Sequence, residues 1–212
     1  MLNLALLAVL AQDIDLLRQA EDKAAAAKSL RWTGTAVIGA DRKEFTVSLD
    51  AAFKEGGRGR LSALPKEGEA PSFCFTSDGR RLLLESSKRE SQSGDVDAAF
   101  APALNRILVR GGIFAINQLR PGTTGEKLLE DVKAVELTVS DDPVGERAAK
   151  RLLYTLNVGG KKAAVKLWID PATLAPLRRE LAGEKEPRIT ETYLTWQPEA
   201  DIPDDLFKAA SK

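Results

Sequence analysis

The chain has 212 residues, of which 43% are hydrophobic and 29% are charged, the composition of a globular protein with a buried core. Its 31 Lys and Arg balance 31 Asp and Glu, so the basic surface of a nucleic-acid-binding protein is excluded. Because the chain has no histidine and a single cysteine, Cys74, it cannot contain a Ser-His-Asp or Cys-His catalytic site, an internal disulfide or a thiolate zinc cluster.

The N-terminus carries an apolar run, Leu2 to Leu10, that is too short to span a bilayer but has the length of the hydrophobic region of a signal peptide. Val9 and Ala11 occupy the positions of small residues before a cleavage site, and the sequence turns polar after Gln12. We therefore expect residues 1–11 to be a signal peptide and the mature protein to be periplasmic or otherwise exported. The alternative is that residues 2–10 form the first turns of a buried helix.

The next segments predict one helix followed by strands. Residues 13–28 are rich in strong helix formers, with Leu17, Ala20 and Ala24 along one face. From Leu30 onward the apolar residues alternate with polar ones, as in half-buried strands. Strands are predicted at residues 30–38, 45–49, 58–64, 72–76, 80–86, 132–139, 152–158, 163–169, 176–182 and 188–196, and exposed loops at residues 67–71, 86–94, 120–125 and 141–149.

Residues 94–119 interrupt the strand pattern. Apolar residues here recur at spacings of three and four, which predicts one or two amphipathic helices that Gly111 and Gly112 break or kink. Further along, Gly159 and Gly160 favour a tight hairpin. Short strands joined by turns predict an antiparallel sheet rather than βαβ units. The fold class is therefore mainly β (α+β), with residues 12–212 as one domain and the helices covering one face of the sheet.

No catalytic or metal-binding constellation stands out among the polar residues, so neither an enzyme nor a cofactor is expected. The strand carboxylates Glu136, Glu180 and Glu191 are predicted to lie on a solvated face, paired with Arg or Lys. Consecutive arginines, Arg178 and Arg179, must point to opposite faces of a strand. The inward one could meet a ligand head group, while a surface ion pair is the alternative. Cys74, between two phenylalanines, is predicted to be a packed strand residue rather than a reactive thiol.

The C-terminal sequence VKLWIDPATLAPLRRELAGEKEPRITETYLTWQPEADIPDDLF resembles the end of the Lol-type periplasmic lipoprotein carriers and of other exported proteins that share their fold. The opening of the chain, a helix before Trp32-Thr33-Gly34-Thr35-Ala36, is similar in order. The resemblance implies a single unclosed antiparallel β-barrel of about eleven strands. It also implies helices over the concave face, around a hydrophobic cavity that holds acyl chains.

The leading hypothesis is an exported, non-enzymatic carrier or binding protein for a lipophilic ligand, with lipoprotein acyl chains as its most specific form. The alternative is an envelope sensor or regulatory interaction protein on the same fold. Expected partners are a lipid or acylated protein and a membrane-bound donor or acceptor protein, and the protein is expected to be a monomer. The ligand-binding residues would be inward apolar side chains, each of which could instead be ordinary core: Trp32, Phe45, Val47, Leu49, Phe73, Phe75, Phe100, Leu104, Ile107 and Leu108.

Overall fold

The computed structural model describes residues 16–20, 22–24, 26–40, 43–66, 72–95, 132–158, 161–183 and 188–208. Within these ranges, eleven strands form one antiparallel sheet. The strands are β1 (Ser29–Ala40), β2 (Lys43–Lys54), β3 (Arg58–Pro65), β4 (Phe73–Asp78), β5 (Arg81–Ser86), β6 (Arg89–Asp95), β7 (Val132–Asp141), β8 (Lys150–Val158), β9 (Lys161–Ile169), β10 (Pro176–Gly183) and β11 (Arg188–Pro198).

The sheet consists of two meanders that meet at its centre. Strands β1 to β6 run outward on one side and β11 to β7 on the other, and β1 pairs with β11. Since β6 and β7 lie at opposite edges, the sheet is not closed. The predicted mainly β, unclosed antiparallel fold is therefore confirmed. Strands β8 and β9 pair as the predicted hairpin requires, as far as Val158 with Lys161, while Gly159 and Gly160 themselves lie outside the described residues.

One strand was not anticipated. Residues 86–94 were predicted to be a loop, but β6 occupies Arg89–Asp95 and pairs with β5. Glu90, Ser91, Gln92 and Ser93 are all exposed. An edge strand with both faces in water needs no apolar residue at alternate positions, so the pattern that identifies the other strands is missing here. The neighbouring prediction, a loop after Asp141, is confirmed by the turn that a Val144–Arg147 bridge closes.

One face of the sheet, called the inner face below, carries the main apolar core. It is defined by alternate strand residues that belong to one buried cluster, such as Trp32, Phe53, Phe75, Val165 and Ile189. Residues 16–20, 22–24 and 26 are helical. Leu17, Ala20 and Ala24 of this segment belong to the same cluster, so the predicted apolar side of the first helix packs on the inner face. The helices predicted for residues 94–119 lie outside the described residues, apart from Gly94 and Asp95 in β6.

The opposite, outer face carries the C-terminal 3-10 helix, Asp204–Phe207. Phe207 and Ile202 pack with Ala52 in a separate buried cluster. Asp204 holds the helix in place, because its Oδ1 accepts hydrogen bonds from Lys54 Nζ at 2.7 Å and from Arg58 Nη1 at 2.8 Å. The C-terminal segment is thus attached to β2 and to the start of β3.

A bulge at the centre of the sheet requires a glycine. The pairing of β1 with β11 shifts between Thr33, opposite Thr195, and Gly34, opposite Tyr193, which leaves Leu194 without a partner residue and 63% exposed. A Cβ atom on Gly34 would lie 2.5 Å from the carbonyl oxygen of Thr192. Only a residue without a side chain allows the two strands to approach this closely.

We expect Gly34→Ala to lower the free energy of unfolding by about 1–3 kcal/mol, the usual range for an overpacked site. The measurement is urea unfolding followed by tryptophan fluorescence. Gly39→Ala, in the same strand, is the matched control, because a Cβ atom there would lie 3.7 Å from its nearest neighbour, Glu44 Cγ. Equal stability of the two variants would contradict the close approach at Gly34.

Candidate functional site

Six of the ten predicted ligand-binding residues lie in the described part of the chain, and all six belong to the inner face. Trp32, Val47, Leu49, Phe73 and Phe75 are buried members of the main cluster, and Phe45 is half-buried against it. Register explains their meeting: Ala36 of β1 lies opposite Val47 of β2, and Leu61 of β3 lies opposite Phe75 of β4. Phe100, Leu104, Ile107 and Leu108 lie outside the described residues. The ligand-binding role of all ten stays a prediction.

An ion pair interrupts this apolar face. Arg179 of β10 and Glu191 of β11 lie opposite each other, and their side chains are each 1% exposed. Arg179 Nε donates to Glu191 Oε2 and Arg179 Nη2 donates to Oε1, both at 2.9 Å. The pair is bidentate, the geometry in which an arginine binds a carboxylate most strongly. A complete pair is what allows two charged side chains to be buried in a core.

This ion pair corrects one prediction and decides another. The prediction that Glu191 is solvated is wrong, because its side chain is buried. Glu180 does lie at the outer surface, where its Oε2 is 3.2 Å from Lys166 Nζ. Of the two arginines, Arg179 is the inward one. Arg178 lies over the Trp168 ring at 5.2 Å and donates to Glu180 at 2.6 Å. The sequence signal was the spacing of two along β11: Glu191 lies on the same face of the strand as Ile189 and Tyr193, and both of these are buried.

Tyr193 connects the ion pair to an aromatic group. Its hydroxyl donates to Glu191 Oε2 at 2.8 Å. Its ring meets Trp32 edge to face at 5.3 Å between centroids, and Trp196 at 6.0 Å. Burial, and then the charge of Glu191, raise the pKa of Tyr193 well above its ordinary value, so the phenol keeps the proton that it donates. We call Arg179, Glu191, Tyr193 and Trp32 the polar cluster.

The charge of Arg179 is permanent in this setting. Desolvation lowers the pKa of the guanidinium, but the nearby Glu191 carboxylate outweighs it and raises the pKa above its ordinary value. The cluster therefore holds one positive and one negative charge, with no net charge.

Two hydrogen-bond donors of the polar cluster are unused. Within the described part of the chain, neither Arg179 Nη1 nor Trp32 Nε1 has a hydrogen-bond partner, although both atoms are buried. Arg179 and Trp32 are each 1% exposed as residues. Buried donors are nearly always paired, so each of these two atoms needs an explanation.

A pocket of about 400 Å³ lies elsewhere, between the first helical segment, the turn before β10 and the bulge in β11. Lys23, Thr173, Leu194 and Trp196 are among its lining residues, and Lys23 Nζ donates to the carbonyl oxygen of Thr173 at 2.9 Å. None of the six predicted ligand-binding residues in the described part of the chain lines it. Tyr193 is the one residue that it shares with the polar cluster.

The other polar groups show no arrangement for catalysis or metal binding in the ranges that the structure describes. No three Cys, Asp or Glu side chains there come together as a metal site. Cys74 is a half-buried residue of β4, as predicted, with its Sγ 3.9 Å from Thr76 Oγ1. Among the described residues, no helix has the length and hydropathy needed to cross a membrane.

Solved structures provide the comparison with known proteins. LprF from Mycobacterium bovis aligns with a TM-score of 0.52 at 15% identity, covering 91% of this chain and 96% of LprF. The Mycobacterium tuberculosis lipoprotein LppX aligns with a TM-score of 0.52 at 13% identity, covering 91% of this chain and 99% of LppX. A LolA-superfamily protein from Nitrosomonas europaea aligns with a TM-score of 0.40 at 10% identity, covering 92% of this chain and 96% of that protein.

No protein-family model matches the sequence, and no curated protein does. The alignments with LprF and LppX extend over nearly the whole of each chain, so they concern the complete fold and not one hairpin or meander. The predicted resemblance is confirmed at the level of the fold, which this chain shares with LprF and LppX.

Proposed function

We propose that the protein is an exported, non-enzymatic carrier or binding protein whose lipophilic ligand lies against the inner face of the sheet. The observation that carries this proposal is the extent of that face. Its apolar cluster takes residues from β1 to β5 and from β7 to β11, so one continuous apolar surface extends over most of the sheet. The fold shared with LprF and LppX supports the same function.

Acyl chains suit this face for an energetic reason. Each buried methylene group contributes about 0.8 kcal/mol, so a long chain gains most of its affinity from apolar contact alone. The residues proposed to bind it are the ten apolar residues named from the sequence. Phe45 is the most accessible of the six that the structure describes, because it is half-buried while the other five are buried.

Native mass spectrometry of the protein purified from its own host tests the function. We expect a co-purifying lipid or acylated protein, together with binding of a hydrophobic dye once that ligand is removed. A co-purifying protein without lipid would favour an envelope sensor or regulatory protein instead. A ligand-free protein that binds no dye would contradict the carrier and assign the inner face to ordinary core.

Export is the second part of the proposal. The product isolated from the cell envelope or medium is expected to begin at or near Gln12, because the apolar run Leu2 to Leu10 ends just before this residue. N-terminal sequencing measures this directly. A cytosolic product that retains Met1 would contradict export.

Ligand binding and stability are expected to change little between about pH 5 and 8, because the chain has no histidine. Stability is expected to fall only in more acidic solution. Hydrogen bonds from the backbone of Arg81 and Arg80 lower the pKa of Asp78, and Lys54 lowers that of Asp204, both below 3.8. A carboxyl group whose pKa is lower in the folded than in the unfolded protein stabilises the folded state at pH values above its unfolded-state pKa. This contribution disappears as the pH falls through the folded-state pKa.

Ligand dissociation and the urea midpoint, measured at neutral pH, near pH 5 and below pH 4, check this expectation. Release without a proton switch implies transfer to an acceptor protein or membrane of higher affinity. A dissociation constant that changes by more than about tenfold between pH 5 and 8, equivalent to about 1.4 kcal/mol, would contradict it.

A further inference from the structure

The sheet has a gap beside the second half of β11. The pairing of β10 with β11 ends at Arg178, which lies opposite Thr192. On its other side, β11 pairs with β1 as far as Pro198. Within the described part of the chain, residues 193–198 therefore have a neighbouring strand on one side only. The first residue of β10, Pro176, has no N–H group for a further hydrogen bond between the strands.

The pocket of about 400 Å³ lies in this gap. Its wall takes Ala175 and Pro176 from the start of β10, and Leu194, Trp196 and Pro198 from the opposite side. Ligand-binding pockets have volumes of about 300–1,000 Å³, so this pocket has the size for the end of a peptide chain.

Two backbone irregularities shape the wall of the pocket. The bulge that Gly34 permits leaves Leu194 without a partner residue and 63% exposed, so the pocket presents an apolar side chain to water. On the other side, Leu174 has a φ of 61°, a left-handed conformation that is uncommon outside glycine. Its neighbours Thr173 and Ala175 both line the pocket. Bulges and strained residues of this kind are frequent at binding sites.

The charges at the pocket favour a monoanion. Its described lining contains two basic residues, Lys23 and Arg147, and no acidic one. Lys23 Nζ donates to the carbonyl oxygen of Thr173, which is neutral. Arg147 Nη2 lies 3.3 Å from Asp170 Oδ2, which neutralises one of the two positive charges. One positive charge is left over, which a carboxylate balances and a phosphate dianion exceeds.

We propose that this pocket binds the C-terminal end of a peptide or protein chain whose last residue is apolar. The terminal carboxylate pairs with Lys23 and Arg147, and the last side chain covers Leu194. The extended backbone lies along the open side of β11, as peptides do when they add to a strand edge. The described inner-face residues proposed for the lipophilic ligand do not line the pocket, so this second site does not depend on the carrier function.

The test compares two peptides that differ only in charge. Acetyl-Ala-Ala-Leu with a free carboxylate and the same peptide with a C-terminal amide are each titrated into the ¹⁵N-labelled full chain. The indole signal of Trp196 reports the pocket, and that of Trp168, which belongs to a separate cluster, is the internal reference. We expect the carboxylate to bind about tenfold more tightly, the effect of a hydrogen bond between charged groups. The preference is expected to shrink at high salt, because Lys23 is exposed.

Three variants locate the site. Lys23→Met removes one positive charge and is expected to lose most of the preference for the carboxylate. Lys28→Met is the matched control, because Lys28 is exposed just after the same helical segment and does not line the pocket. Leu194→Ala is expected to weaken both peptides equally. All three side chains are exposed, so none of these changes is expected to unfold the protein.

Equal affinity of the parent protein for the acid and the amide would overturn the carboxylate site. A preference that persists in full in both Lys23→Met and Arg147→Met would overturn its assignment to this pocket. 4-Methylpentanoate has the leucine side chain and the carboxylate but no peptide group, and binding as tight as that of the tripeptide would overturn the peptide as occupant. All three outcomes leave the carrier function in place, because lipid binding at the inner face is measured separately.

Discussion

Replacing Arg179 with methionine is expected to lower the free energy of unfolding by about 3–5 kcal/mol, the usual cost of removing one partner of a buried ion pair. The loss is large because Glu191 is 0% exposed and would keep an uncompensated charge inside the apolar cluster. Urea unfolding gives the measurement. Arg178→Met is the matched control, since Arg178 is half-exposed at the outer surface, and its loss is expected to cost less than about 1 kcal/mol.

The double variant Arg179→Met, Glu191→Leu separates the charge from the packing. Buried ion pairs replaced by apolar residues of similar volume often leave stability unchanged or raise it, so most of the loss is expected to be recovered. A double variant that is as stable as the parent would mean that the ion pair is not kept for stability. An Arg179→Met protein as stable as its parent would contradict the buried pair itself.

Phe75→Ala is expected to lower the free energy of unfolding by about 3–5 kcal/mol, the usual effect of truncating a large aromatic side chain in a packed core. Phe75 is 1% exposed in the middle of β4, where Leu61 and Leu84 lie opposite it on the two neighbouring strands. Leu64→Ala is the control, because Leu64 is 55% exposed and its truncation is expected to change stability by less than about 0.5 kcal/mol. Unfolding and dye binding are measured on the same samples.

The two measurements distinguish packing from ligand binding at Phe75. A loss of stability in a protein whose parent binds no dye would identify Phe75 as ordinary core. A loss of dye binding with unchanged stability would place it at the wall of a cavity and contradict close packing there. The same pair of measurements applies to the other inner-face residues proposed from the sequence.

Alternation of side chains along a strand is a local property, and this is why most of the sheet could be predicted. Trp32, Val47, Leu49 and Phe75 each lie in a run with period two, and all four belong to the inner face. Ten strands were predicted in this way. β6 was missed because its exposed residues need no apolar alternation, although its backbone completes the edge of the sheet.

The burial of Arg179 and Glu191 depends on the pairing of β10 with β11, and no local sequence pattern records this pairing. Glu191 was read as a solvated carboxylate because a charged residue is rarely buried alone. Its burial depends on Arg179, twelve positions away, meeting it across the β10–β11 hairpin, and on Ala36 of β1 lying on its other side. Chain periodicity alone therefore determined which side chains share a face. Only the tertiary structure decided which strands lie side by side, and therefore which polar groups have partners in the core. The reason is that hydrogen bonds and ion pairs depend on distances between segments that are far apart in the chain.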